Sequence, residues 1–182
     1  KVDLDDEAAA AVVDQMERTG VTTLGGSPSF VGGLARFLVA HPERHVVRER
    51  VRAVAIGGAP VTPSIAELTK RAFPHAHVRV VYGCTEAGQV AFVDADEVIA
   101  DAVAHDLGGG CLVGLPAFTT VKVVDGEVCV AGAHVLDRYV YDDATTAAMI
   151  ELDGVVFHKA GDMARVEADV RCWLLGRKSV RV

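Results

Sequence analysis

The sequence predicts an α/β protein: a mainly parallel sheet with flanking helices over residues 1–105, then a small β-rich, barrel-like subdomain over 106–182. Three observations predict this. Up to residue 105, short β-branched runs alternate with helical stretches of about ten residues, the texture of βαβ units. The glycine run 108–110 then interrupts the alternation. Beyond it the pattern is short strands and turns.

The elements follow in order. DDEAAAAVVDQMERTG, 5–20, carries acids at its front and Gly20 at its end, as a capped helix should. VTTL, 21–24, is strand-like. Pro28 opens PSFVGGLARFLVAH, in which Phe30, Val31, Leu34, Phe37 and Leu38 recur at helical spacing. RAVAI, 52–56, is a short strand that breaks at GGAP. PSIAELTKRAF, 63–73, reads as a helix with Pro63 at its front and Ile65, Leu68 and Phe73 on one face. VRVVY, 78–82, is the next strand. In the β-rich part, VKVV and EVCVAG flank Asp125-Gly126, a pair that tolerates the positive φ angles of a type I′ hairpin turn. FHKAGDMARVEADVRCWLLGRK continues it, with Val166, Val170 and Trp173 strand-like around an acidic turn at Glu167 to Asp169.

Composition narrows the function. The chain has 182 residues and 51% hydrophobic content, enough for one packed domain or two small ones. Its 25 acidic and 18 basic residues leave a formal charge of -7, which argues against general affinity for nucleic-acid phosphates or anionic membranes. No apolar run reaches the roughly 18 residues that span a bilayer, and the acidic opening KVDLDDE is the opposite of a signal peptide's basic start. Stable membrane insertion is not expected. Cys84, Cys111, Cys129 and Cys172 stand far apart with no CxxC pair, which suggests neither zinc nor a disulfide framework and fits a reducing cytoplasm. His105, His134 and His158 share no metal-ligand spacing and read as scattered surface or loop residues. The chain starts without Met and stops on GRKSVRV, a β-prone run with no closing turn. A fragment of a longer protein is expected.

The chemistry concentrates at two strand ends. Ligands of parallel α/β sheets bind beyond the carboxyl ends of strands, where GGAP (57–60) and YGCTE (82–86) both fall. Glycines let backbone approach a flat ligand, and Tyr82 offers an aromatic face. Thr85 offers a hydroxyl to a phosphate oxygen, and Glu86 a hard carboxylate suited to Mg²⁺ held mainly by phosphates. Taken singly, each residue has an ordinary alternative: a turn at Gly57-Gly58, a core aromatic at Tyr82, a solvated acid at Glu86. Together they describe a nucleotide site.

YGCTEAG resembles the YGxTE signature of adenylate-forming enzymes, the superfamily of acyl-CoA synthetases, nonribosomal-peptide adenylation domains and luciferases. Further segments match in order: GGAP upstream, Gly114-Leu115-Pro116 as a G-x-P turn, a hairpin ending near LDRYVYDDATTAAM in place of a Gly-Tyr-type segment, the GD pair in AGDMARV, and CWLLGRK for W-x-x-GRK. The resemblance covers nearly the whole chain. It implies that Gly57, Gly58, Ala59 and Pro60 line one side of the adenine of ATP or AMP, with Tyr82 and the adjoining Gly83 on the other. It implies that Thr85 holds the α-phosphate, Glu86 binds the Mg²⁺ that neutralises ATP, Asp162 accepts both ribose hydroxyls and Arg177 contacts the ribose or phosphate side near a hinge. The implied reaction joins a carboxylic acid to AMP with release of pyrophosphate, and coenzyme A is the common acyl acceptor in the family. The apolar, glycine-containing VTTLGGSPSFVGGL resembles the segment that helps form the acyl pocket, and it suits a fatty or other apolar acid.

GRKSVRV, GGAPV and GGGCLVGLP are similar to the branch that makes β-lactones from β-hydroxy acids in bacterial olefin biosynthesis, where an internal hydroxyl replaces coenzyme A. Departures accompany the matches. Ser179 stands where the family has a charged hinge residue, AGD replaces TGD, and Val81 replaces a polar residue. Neither the Ser/Thr-rich phosphate loop nor the terminal domain with its lysine is within these residues, so the chain alone is expected to catalyse little adenylation. A noncatalytic AMP-binding or interaction module derived from the same family is the alternative.

Overall fold

The computed structural model describes residues 4–104, 110–166 and 171–178. His105, most of the 108–110 glycine run, the expected acidic turn at Glu167 to Asp169, Val170 and Ser179 lie outside the described residues. The chain divides into two compact units, Lys1–Val80 with Asp94–His105, and Val81–Val93 with Asp106–Val182.

In the first unit, α1 (Asp6–Thr19) starts on Asp5, whose carboxylate accepts from the Ala8 N–H at 2.8 Å, and ends on Gly20 in the left-handed region. Such a cap contributes about 1 kcal/mol. α1 buries Ala9, Val13 and Met16, one stripe at helical spacing. β1 (Thr23–Gly26) leads into α2 (Pro28–Ala40), capped by Ser27 and burying Val31, Leu34, Ala35 and Leu38. A 3₁₀ turn, Pro42–Arg44, and a short α3 (His45–Arg50) precede β2 (Ala53–Gly57). β1 and β2 are parallel, with Thr23 opposite Ala53 and Gly26 opposite Ile56. The first strand thus lies two residues beyond the expected 21–24: the Thr22 carbonyl accepts from the Arg52 N–H at 2.8 Å, and pairing extends into Gly25-Gly26. α4 (Pro63–Ala72) takes Thr62 as its cap. α2 packs against α1 and α4, and α4 against α5 (Ala95–Ala104), a helix the sequence reading does not single out. β3 (His77–Cys84) follows β2 in the strand order, and its residues after Val80 belong to the second unit.

The second unit is antiparallel. It contains β4 (Gly88–Asp94, up to Val93), β5 (Cys111–Pro116), β6 (Thr120–Val124), β7 (Glu127–Ala131), α6 (Asp142–Ala148), β8 (Met149–Leu152), β9 (Val155–Val166) and β10 (Cys172–Arg177). Its order is β4-β5-β10-β9-β7-β6, with β8 alongside β9. Residues 81–93 join this unit because β4 pairs with β5, Ala91 opposite Pro116 and Phe92 opposite Leu115, whereas the sequence reading grouped them with 1–105. Gly114 to Pro116, expected as a turn, are the last residues of β5. Residues 142–148, expected at the end of a hairpin, are helical. The Asp125-Gly126 turn has the positive φ angles its sequence requires, 52° and 80°. β7, between β6 and β9, is buried along all five residues. The core gathers Tyr82, Val90, Val113, Val128, Val130 and Cys172. Trp173 is 1% exposed, with the Arg165 guanidinium 4.8 Å from its ring centre.

Candidate functional site

The second unit holds a cavity of about 430 Å³, within the usual range for small-molecule sites. It is lined by Cys84 at the end of β3, Glu86 from the β3–β4 connection, Tyr139, four successive residues of β9 from His158 to Gly161, Arg177 at the end of β10 and Lys178 just after it. Lys159, Arg177 and Lys178 supply cationic groups to the wall and Glu86 a carboxylate, with Arg177 and Lys178 each already paired to an acid. Arg177 donates to the Ala160 carbonyl at 2.9 Å and to Asp162 Oδ1 at 3.0 Å, while Lys178 pairs with the buried Glu127 carboxylate at 2.5 Å. Lys159 forms no ion pair among the described residues.

The β3–β4 turn presents the YGCTE residues. The Ala87 N–H returns to the Cys84 carbonyl at 3.3 Å, leaving Thr85 exposed at the turn and Glu86 half-buried. Glu86 Oε1 accepts from the Tyr139 hydroxyl at 3.0 Å, and the Glu86 carbonyl accepts from the Leu136 N–H at 2.7 Å. Its own backbone N–H and then the Tyr139 hydroxyl hold the Glu86 carboxyl below its ordinary range. The Cys84 thiol is held upward by burial, which keeps it protonated.

Tyr82 and Asp162 sit together but are not among the cavity's lining residues. The Tyr82 ring is 7% exposed within the core, and its hydroxyl donates to Asp162 Oδ2 at 2.8 Å. Burial pushes the phenol upward, with Asp162 adding to the shift. Each Asp162 oxygen therefore already accepts one hydrogen bond, from Tyr82 or from Arg177. A carboxylate offers about four acceptor sites, so two remain for hydroxyl donors. Gly83 is fixed by packing: a Cβ there would collide with the Gly88 carbonyl. In the first unit, Gly58, Ala59 and Pro60 are exposed, and Gly58 holds φ at +80° with open space where a Cβ would go.

The sequence reading missed Tyr139, His158 and Lys159 as site residues. His158, expected at the surface or in a loop, is 4% exposed in β9. Its neighbour Phe157 is 1% exposed, and two successive buried residues in a strand mean that both faces are covered. The signal available was position: His158 and Lys159 immediately precede the AGD segment. No group of three or more His, Cys, Asp or Glu residues suited to a metal occurs among the described residues. A lone Glu86 fits Mg²⁺ carried by nucleotide phosphates, which takes one or two protein carboxylates, and does not fit a protein-only metal cage.

Known proteins similar to this chain include two bacterial synthetases and a solved adenylation structure. The olefin beta-lactone synthetases of Xanthomonas campestris pv. campestris and Stenotrophomonas maltophilia are each 32% identical to it, over 93% of this chain and 34% of theirs. The chain thus spans about a third of the length of these relatives. An artificially fused adenylation-PCP di-domain NRPS from Klebsiella oxytoca, NpsA-ThdA, superposes with a TM-score of 0.70 at 25% identity, covering 92% of this chain and 32% of that one. The family described as AMP-binding enzyme matches residues 2–140, three-quarters of the sequence and the part that carries both GGAP and YGCTE. On that match, the chain belongs to the AMP-binding enzyme family.

Proposed function

We propose that this chain is part of an ATP-dependent ligase that converts an apolar carboxylic acid to its acyl-adenylate. A carboxylate oxygen of the acid attacks the α-phosphorus of ATP, and the bond from that phosphorus to the bridging oxygen breaks to release pyrophosphate. Such a step is accelerated chiefly by positioning and charge neutralisation. The observation that carries the reading is the meeting of Glu86 and Arg177, 91 positions apart by number, at one cavity in a chain of this family.

The roles divide as follows. Within the second unit, Tyr82 with Gly83 takes one face of the adenine through the edge that core packing leaves open; Gly57, Gly58, Ala59 and Pro60 of the first unit carry the adenine role that the family resemblance implies for them. Asp162 accepts the ribose hydroxyls with its two remaining acceptor sites, and Arg177 holds that carboxylate while facing the phosphate side. Thr85 donates to the α-phosphate. Glu86 binds the Mg²⁺ of the nucleotide, which supplies charge neutralisation when bound. The similarity to relatives named as olefin beta-lactone synthetases supports a β-lactone product; the acid is then a β-hydroxy fatty acid, whose own hydroxyl attacks the acyl carbon and displaces AMP. Transfer to coenzyme A is the competing outcome. Four free cysteines suit a cytoplasmic setting, and no helix among the described residues is long and apolar enough to cross a membrane.

Calorimetric titration with AMP and with Mg²⁺-ATP tests the reading on wild type and Asp162→Ala. Binding lost in the variant, with its fold retained, supports an adenosine site; a folded wild type that binds neither nucleotide overturns it. With the longer protein, a β-hydroxy acid and ATP should yield a lactone by mass spectrometry without coenzyme A. Product formed only when coenzyme A is added would assign the acyl-CoA outcome instead.

A further inference from the structure

Tyr139 stands between two partners that compete for its single hydroxyl proton. Its oxygen lies 3.0 Å from Glu86 Oε1 and 3.0 Å from His158 Nε2. The Tyr139 and His158 rings meet at a tilt of 53°, with centres 6.0 Å apart. On its other side, Tyr139 is fixed through its backbone, whose N–H donates to Thr145 Oγ1 of α6 at 2.8 Å.

The proton can be placed by counting donors. His158 Nδ1 is buried and has no hydrogen-bond partner among the described residues. A neutral imidazole carries one N–H. Were that proton on Nδ1, the structure would hold a buried donor with nothing to receive it, the more costly kind of unsatisfied group. Tyr139 would then give its proton to His158, and the Glu86 carboxylate would face a bare hydroxyl oxygen. With the proton on Nε2, the imidazole donates to Tyr139 and Tyr139 donates to Glu86. Only an acceptor lone pair on Nδ1 is then left over.

We infer that Tyr139 and His158 are positioning residues, a directed hydrogen-bond series from His158 Nε2–H through the Tyr139 hydroxyl that holds the Glu86 carboxylate in one orientation toward the cavity. The inference rests on the proposed role of Glu86 toward nucleotide-borne Mg²⁺. A half-buried glutamate in a turn otherwise samples several rotamers, and the series removes that freedom before the cation arrives. Partners that orient a metal-binding group typically govern its metal affinity by about 10- to 100-fold.

The test compares nucleotide binding with and without the cation in the 182-residue chain. Dissociation constants for AMP without metal and for Mg²⁺-ATP are measured in wild type, Tyr139→Phe, His158→Phe and His158→Gln, each checked for retained fold. Tyr139→Phe is expected to weaken Mg²⁺-ATP about tenfold while leaving AMP within about twofold. His158→Phe is expected to move in the same direction, and His158→Gln to recover much of the loss because its amide N–H can donate to Tyr139. Long-range nitrogen-proton NMR correlation should show His158 protonated at Nε2. Equal losses for both ligands, an unchanged Mg²⁺-ATP affinity in Tyr139→Phe, or a proton on Nδ1 would each overturn the series and leave the nucleotide reading standing. A folded wild type that binds neither ligand would overturn both.

Discussion

The Tyr82 hydroxyl donates to Asp162 Oδ2 at 2.8 Å, joining the YGCTE and AGD segments across 80 positions of sequence. Both residues belong to the second unit, and the bond is to a charged acceptor, the stronger class. Tyr82→Phe keeps the buried ring and removes only the donor. It should cost about 1.5–3 kcal/mol in urea unfolding with an unchanged dependence on denaturant. A loss no larger than a few tenths would mean that water replaces the phenol without penalty.

The burial of His158 sets the expected sign of a pH dependence in stability. Burial holds its imidazole below the ordinary value of 6.5, although Glu86 and Glu127 pull the other way. The unfolded chain then binds more protons than the folded one as pH falls through that range. Its stabilising contribution is therefore complete above about pH 6.5 and is lost as pH falls toward the depressed folded-state value. Wild type should lose denaturation midpoint between about pH 7.5 and 5.5, and His158→Phe should flatten that slope. Parallel slopes in the two proteins would assign the effect elsewhere.

Gly58 is a conformational requirement and not a steric one. At φ +80° with nothing within 4 Å of an added Cβ, Gly58→Ala meets no atom but must enter the left-handed region. The expected cost is about 1–2 kcal/mol. Gly58→Asn should cost less, since asparagine enters that region more readily. Thermal denaturation of the two variants, compared with wild type, checks the ranking.

The single tryptophan reports on the second unit alone. Trp173 is 1% exposed and lies under the Arg165 guanidinium, so its emission should be blue-shifted in the folded protein and move red on unfolding. Trp173→Ala should cost about 3–5 kcal/mol. Circular dichroism follows the helices of the first unit as well. Midpoints that differ between the two probes would show the units unfolding in separate steps; coincident midpoints would show one transition.

What the sequence made legible follows how local each signal is. α1, α2 and α4 could be read because Asp5, Ser27, Thr62 and the prolines at 28 and 63 announce helix starts within a few residues. The 125–126 turn was legible because its residue types carry the backbone angles. α5 and β4 were not singled out, since β4 is defined by distant partners, Ala91 with Pro116 and Phe92 with Leu115. The same holds for the site. Glu86 and Arg177 were named through motifs, but the buried His158 behind Tyr139 depends on how β9 is covered on both faces, which no local window contains.

Gly83 and Gly88 meet so closely that position 83 admits no side chain at all. A survey of tolerated substitutions, scored by growth or activity, would therefore record the glycine of YGCTE as indispensable even if no nucleotide ever touched it. Its neighbour Cys84 carries a half-buried side chain that lines the cavity and packs against the core, so intolerance there would report on packing and on the cavity together. Adjacent letters of one signature can thus be held in place by different pressures, one from the path of the backbone and the other from a side chain shared between core and cavity.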